Sequence, residues 1–153
     1  MMEGVKKVAL LGNPNSGKSS LFNHLTGLNQ KVGNFPGVTV EKRFGACQLG
    51  NGQKLQIMDL PGTYSLYPKS MDEQVVFETL TDKSNPDYPD LAIIIIDAAN
   101  IKRNLLLFTQ VVDLGIPVIL VLNMLDVATN RGQRVSPTVI AKHFAVPTIS
   151  LNA

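Results

Sequence analysis

The stretch Gly12-Asn13-Pro14-Asn15-Ser16-Gly17-Lys18-Ser19 constrains this chain more than any other, because it has the GxxxxGK[ST] form of a phosphate-binding loop. Such a loop needs a strand before it and a helix after it. Both are predicted. Residues 5–11 contain the apolar run Val8-Ala9-Leu10-Leu11, and Leu21, Phe22 and Leu25 recur on one face of a helix over residues 17–26, stopped by Gly27. Glycines at either end of the loop let the backbone turn tightly around an anion with its N–H groups inward. The helix N-terminus adds a positive dipole end. In this reading Lys18 reaches the β- and γ-phosphates of a nucleotide, and the Ser19 hydroxyl holds Mg²⁺.

The chain has 153 residues, 44% of them apolar, enough for one domain with one sizeable core. Its 14 basic and 12 acidic residues are scattered, leaving a net charge of +2 and no basic block, so no nucleic-acid partner is expected. The single Cys47 excludes an internal disulfide and reads as a small buried hydrophobe on a strand. Residues 1–7 lack the apolar region of a signal peptide. The longest apolar runs, near residues 91–96 and 116–122, fall far short of the roughly 20 residues of a membrane helix, so this piece is expected to be soluble and cytosolic.

Residues 28–38 are rich in Gly, Asn and Pro without periodicity and read as a loop. Strands at 39–49 and 54–60 flank Gly50-Asn51-Gly52-Gln53, where Asn-Gly signals a hairpin. Ser70-Met71-Asp72-Glu73 has the spacing of a capping box and opens a helix to about residue 80, with the Glu73 side chain expected to reach back to its start. The β-branched run 91–96 suits a strand buried on both faces, as does 117–122. Helices are expected at 104–114 and, from the Ser136-Pro137 start, to residue 144, with a last strand at 147–151. The expected fold is α/β: a doubly wound, mostly parallel six-stranded sheet with one antiparallel edge strand. Its ligand sits at the C-terminal ends of the strands.

The phosphate loop, Asp59 and the loop at residues 123–126 fall at that edge, and Thr39 lies in the segment before the hairpin. Asp59-Leu60-Pro61-Gly62 places a carboxylate at a strand end to hold Mg²⁺ through water, and a Gly62 N–H to meet a γ-phosphate. Thr39 has a hydroxyl for Mg²⁺ and an N–H for the same phosphate. In Asn123-Met124-Leu125-Asp126, the Asp126 carboxylate can accept both N1–H and N2–H₂ of guanine, and the Met124 thioether can cover the ring. Each has a plainer alternative taken alone: a strand leaving into a turn, a β-branched residue opening a strand, a polar loop. Their company with the phosphate loop decides. Thr63 stands where nucleotide-hydrolysing switches often carry a water-orienting Gln. No Arg is evidently a finger: Arg43, Arg103, Arg131 and Arg134 read as solvated charges. His24 and His143 read as surface or core-edge residues.

Together these residues resemble the Ras-like translation-factor class of GTPases. More closely, through almost the whole chain, they resemble the cytosolic G domain of the FeoB family of bacterial ferrous-iron transporters. The most specific stretch is Val32-Gly33-Asn34-Phe35-Pro36-Gly37-Val38-Thr39-Val40-Glu41, with Phe35 where the family usually has Trp. Asp59-Leu60-Pro61-Gly62-Thr63-Tyr64-Ser65-Leu66 and Asn123-Met124-Leu125-Asp126 add to it. The resemblance implies a P-loop NTPase of the Ras-like G-domain fold. It would bind GTP and GDP with Mg²⁺ and hydrolyse GTP slowly, with stimulation by K⁺. The implied catalytic residues are Asn15, Lys18, Thr39 and Gly62. The implied nucleotide contacts are Asn13, Asn15, Ser16, Gly17, Lys18, Ser19, Ser20, Asp59, Gly62, Asn123, Met124 and Asp126. Asn152 and Ala153 join them, at the position of the family's base-contacting Ser-Ala pair. Mg²⁺ falls to Ser19, Thr39 and Asp59. K⁺ falls to the Asn15 side chain and the carbonyls of Gly33 and Phe35.

The resemblance also implies coupling to iron uptake at the cytoplasmic face of the bacterial inner membrane. The implied partner is a membrane transport domain of the same full-length chain, and homo-oligomer formation is left open. Residues 1–153 are then one GTPase domain cut at its last base-contacting loop, without the family's helical spacer and membrane domain. Two other readings stay open: a soluble Era-type GTPase associated with RNA or ribosome assembly, and a binding switch with negligible turnover.

Overall fold

The structure, a computed structural model, describes residues 4–151. Its centre is β1 (Lys7–Gly12), parallel to β4 (Lys54–Asp59) on one side and β5 (Leu91–Asp97) on the other. Successive β1 side chains enter different cores: Val8 and Leu10 join Leu21, Phe22 and Ile57, while Ala9 and Leu11 join Met58, Val76, Leu107 and Phe108. This is the two-residue period of a strand. It leaves no polar face because both sides are covered, by α1 (Lys18–Thr26) on one and by α2 (Met71–Thr81) and α3 (Ile101–Asp113) on the other. β6 (Val118–Asn123) extends the parallel sheet beside β5, and β7 (Thr148–Leu151) closes it. α5 (Pro137–Phe144) sets the Phe144 ring edge-on to Phe108, with centroids 5.0 Å apart. The α/β class and the mostly parallel sheet agree with the sequence reading.

Two parts of that reading are corrected. The sheet has seven strands among the described residues, in the order β2-β3-β4-β1-β5-β6-β7. The additional one, β2 (Gln30–Asn34), lies inside the stretch read as a loop. It is antiparallel to β3 (Glu41–Gln48), which is antiparallel to β4, so the antiparallel strand is internal and β2 is the edge. The reason is physical: residues 31–34 are all exposed, so no apolar alternation marks the strand, and it is held by its backbone ladder to β3.

Smaller differences follow the same logic. β3 begins at Glu41 and α3 at Ile101, after a 3₁₀ turn at Ala98–Asn100 that Asp97 caps by accepting the Ala99 N–H at 2.8 Å. The short α4 (Leu125–Asn130), which the sequence reading lacked, starts from Met124 in the left-handed region. In the capping box, Glu73 N–H donates to Ser70 Oγ at 3.2 Å as expected. The Glu73 carboxylate, however, accepts the Lys69 N–H, one residue before the cap. Cys47 is half-buried on β3. Among the described residues no helix is long and apolar enough to cross a membrane.

Candidate functional site

Because β1, β4 and β6 run parallel, their ends Gly12, Asp59 and Asn123 come out at one edge of the sheet. The loop after β1 is tightly wound. Asn15 and Gly17 take left-handed backbone conformations, with φ of 65° and 96°, and Ser16 N–H donates to the Asn13 carbonyl at 3.2 Å. Asn tolerates that region better than other side chains, and Gly takes it without penalty. Asn13 and Ser16 are buried, and Asn13 Oδ1 and Ser16 Oγ have no hydrogen-bond partner among the described residues. Ser19 and Ser20 lie exposed in the first turn of α1.

Two other segments brace this loop. Asn123 is buried at the end of β6, where its Nδ2 donates to the Ser16 carbonyl at 2.9 Å and its Oδ1 accepts the Met124 N–H at 2.9 Å. A Cβ on Gly17 would fall 2.1 Å from that Nδ2, so only glycine lets the two loops meet. On the other side the Thr63 N–H donates to the Gly12 carbonyl at 3.1 Å. A Cβ on Gly62 would lie 3.2 Å from the Pro14 nitrogen, which seats the DxxG turn directly on the phosphate loop. The Thr63 hydroxyl is buried, 2.7 Å from the Ser65 carbonyl and 3.1 Å from the Glu73 carboxylate. It is engaged within the turn.

At the centre Lys18 Nζ donates to the Asp59 carboxylate, and their side chains are only 11% and 8% exposed. Asp126 is exposed in the first turn of α4. The structure therefore gathers Asn13, Asn15, Ser16, Gly17, Lys18, Ser19, Asp59, Gly62, Asn123, Met124 and Asp126 at one edge. Thr39, Gly33 and Phe35 belong to the neighbouring edge segment. Thr39 is exposed just before β3, and Gly33 pairs with Lys42 in the β2–β3 ladder. The Phe35 ring is buried facing α2, where it lines a cavity with Met71 and Val75. Asn15 instead lines a cleft with Tyr64 and Arg103. Asn152 and Ala153 lie outside the described residues.

Arg103, read as a solvated charge, is exposed and in addition holds its guanidinium carbon 4.4 Å from the Tyr64 ring centroid. No motif spacing signals such a contact. Gln110 was also missed; its Oε1 accepts the Leu66 N–H at 2.7 Å.

The donor chemistry fits the implied ions. Ser19, Thr39 and Asp59 supply hydroxyl and carboxylate oxygens, the hard ligands Mg²⁺ takes. Asn15, Gly33 and Phe35 supply neutral carbonyl oxygens suited to a monovalent cation. The buried, unpartnered Asn13 Oδ1 and Ser16 Oγ show a loop built around more polar company than the chain itself supplies. Among the described residues no group of three or more His, Cys, Asp or Glu side chains is placed to hold a metal.

Known proteins are similar to this chain. The Fe(2+) transporter FeoB of Escherichia coli (strain K12) is 43% identical over 148 residues, which cover 94% of this chain and 18% of the transporter. The Fe(2+) transport protein A/FeoB fusion protein of Porphyromonas gingivalis is 39% identical over 145 residues, 95% of this chain and 17% of its own length. The chain thus spans less than a fifth of these curated relatives. Among solved structures, the G domain of the T. maritima FeoB iron transporter superposes with a TM-score of 0.86 at 37% identity, over 96% of this chain and 87% of that one. A mutant S. thermophilus NFeoB bound to GDP has a TM-score of 0.86 at 42% identity, over 97% of this chain and 55% of that one. The family model for ferrous iron transport protein B matches residues 6–153, and this chain belongs to that family.

Proposed function

We propose that this chain binds guanine nucleotides and hydrolyses GTP, as the regulatory domain of a ferrous-iron transporter at the cytoplasmic face of the inner membrane. The observation that carries the reading is the bond from Asn123 to the Ser16 carbonyl, which ties the NxxD loop to the phosphate loop beside the DxxG turn. Family membership favours this over the RNA-associated alternative. A related NFeoB domain has been solved with GDP, which supports the choice of base.

In this reading the loop N–H groups and Lys18 grip the β- and γ-phosphates, with Asn13, Ser16, Gly17 and Ser20 lining the cradle. Ser19, Thr39 and Asp59 would hold Mg²⁺, and Asn15 with the Gly33 and Phe35 carbonyls would hold K⁺. When bound, these cations offset the charge on the phosphate oxygens as it shifts toward the leaving group. The Gly62 N–H meets the γ-phosphate. Asp126 accepts from both guanine donors, which adenine lacks, and Met124 covers the ring. Asn152 and Ala153 complete the base contacts. Turnover is slow because Thr63 orients water poorly.

Calorimetry with GTP, GDP and ATP tests the reading: the guanine nucleotides should bind and ATP should not, since a carboxylate facing the wrong base edge is left unpaired. Asp126→Asn should move preference toward xanthine nucleotides. GTP turnover should be faster in K⁺ than in Na⁺ at equal ionic strength, and Asn15→Ala should abolish that difference. ATP binding on a par with GTP overturns the base assignment, and equal rates in the two salts overturn the cation role.

A further inference from the structure

The turn that follows Gly62 is gripped from α3. The Arg103 guanidinium carbon sits 4.4 Å from the Tyr64 ring centroid, within the reach of a cation–π contact. Two turns further along the helix, Gln110 accepts the Leu66 N–H at 2.7 Å. The start of α3 also meets the phosphate loop, because Asn13 Nδ2 donates to the Arg103 carbonyl at 3.5 Å. Arg103 thus touches both parts of the site, by its backbone on the phosphate loop and by its side chain on the DxxG turn. Asn13, Asn15, Tyr64 and Arg103 share one cleft of about 150 Å³.

The partner of this guanidinium is informative. Arg103 is exposed and makes no ion pair among the described residues, although Asp97 lines the same cleft, and its guanidinium lies over the Tyr64 ring. Tyr64 is 39% exposed, so burial alone does not fix its ring. Next to it, Thr63 N–H bonds the Gly12 carbonyl and Gly62 lies on Pro14, so a shift of Tyr64 is felt at once where the γ-phosphate is met. Small displacements there are expensive, since donors act only when aimed at the developing charge.

Resting on the GTPase reading above, we infer that Arg103 is a positioning residue for GTP hydrolysis: it clamps Tyr64 and so holds the Gly62-Thr63 turn against the phosphate loop. In this inference it acts through Tyr64 and not by contact with the nucleotide. Its contribution therefore belongs to kcat and not to affinity.

The test uses Arg103→Ala, Arg103→Lys, Tyr64→Ala, Tyr64→Phe and the double alanine variant, with GTP turnover, GDP affinity and thermal midpoint measured for each. Arg103→Ala should lower kcat about fivefold, the scale of a cation–π contact, with KM and GDP affinity within about twofold of wild type. Arg103→Lys and Tyr64→Phe keep a cation and a ring, so they should stay close to wild type. The double variant should be no slower than the slower single one. Independently of turnover, hydrogen exchange of the GDP-bound protein should speed up at the amides of residues 64–67 in Arg103→Ala and stay unchanged at residues 12–19. Wild-type kcat in Arg103→Ala, a loss matched by lower GDP affinity or thermal midpoint, or Arg103→Lys as slow as Arg103→Ala would each overturn the proposal. Absence of turnover in the wild type would count against the GTPase reading instead, and the exchange comparison would still decide whether Arg103 holds Tyr64.

Discussion

The phosphate loop and the segment that carries Thr39 both lead out of a strand at the edge of the site, and they are held in opposite ways. The first is braced on every side: Thr63 bonds Gly12, Asn123 bonds Ser16, and Gly62 lies against Pro14. Across residues 30–40 the backbone pairs along one side only, and only Phe35 and Val40 are buried. Phe35 anchors the turn, with its N–H bonding the Val40 carbonyl at 3.0 Å. A loop braced from several sides thus stands beside an edge segment anchored chiefly by Phe35, which is how more and less rigid parts can share a small domain.

The strongest test of the braced side is Gly17→Ala. The left-handed backbone costs an alanine about 1–2 kcal/mol. Its Cβ would also displace the Asn123 amide, at a further cost of about 1–3 kcal/mol. Urea unfolding should show a loss of roughly 3 kcal/mol together with loss of nucleotide binding; a wild-type midpoint would mean that the two loops are not braced together.

On the other side, Phe35→Ala should cost about 2 kcal/mol, less than the 3–5 kcal/mol of a deeply enclosed Phe, because an edge segment can settle into the space. Exchange at residues 30–40 should accelerate while residues 12–19 stay protected. If both accelerate together, edge segment and phosphate loop are one cooperative unit and the contrast fails.

A smaller effect separates two surface charges. The Lys7 and Lys6 N–H groups both donate to Asp90 at 2.9 Å and hold its carboxyl below the usual carboxylate range, pinning the start of the central strand. Since the folded value is depressed, this stabilisation is complete above the unfolded value near 4 and is lost as pH falls through the folded one. Asp90→Ala should therefore cost about 0.5–1 kcal/mol at neutral pH, allowing for solvent screening, and less as pH falls below the unfolded value. On the edge, Glu41 pairs with Arg43 at 2.6 Å with both side chains half exposed, and Glu41→Ala should be within error of wild type. Equal losses for the two would remove the distinction between centre and edge.

Thr39→Ala is likewise expected within about 0.5 kcal/mol of wild type because the residue is exposed. GDP affinity should hold while GTP turnover slows, and an equal loss of GDP affinity would give Thr39 a structural role instead.

The motifs were legible because their chemistry demands residue types at fixed spacing, and the central strands because burial on both faces leaves continuous apolar runs. β2 was not legible, since pairing by backbone leaves no mark on exposed side chains. Nor was α4, six residues long and entered through a left-handed Met124 without a side-chain cap. The NxxD loop was found in the sequence, but its tether to Ser16 was not. That tether and the Arg103–Tyr64 contact join residues distant in the chain, and only the folded topology brings them together.

The Lys18–Asp59 pair has a consequence for how ligands arrive. Two opposite charges, each about nine-tenths buried, already neutralise one another. A phosphate that recruits Lys18 strands Asp59, and a cation that recruits Asp59 strands Lys18, each at the cost of a nearly buried unpaired charge. Arriving together, anion and cation exchange partners without stranding either. Under the proposed GTPase reading, linkage would make their affinities mutually dependent by one common factor, and this ion pair would favour a metal–nucleotide complex over either component alone.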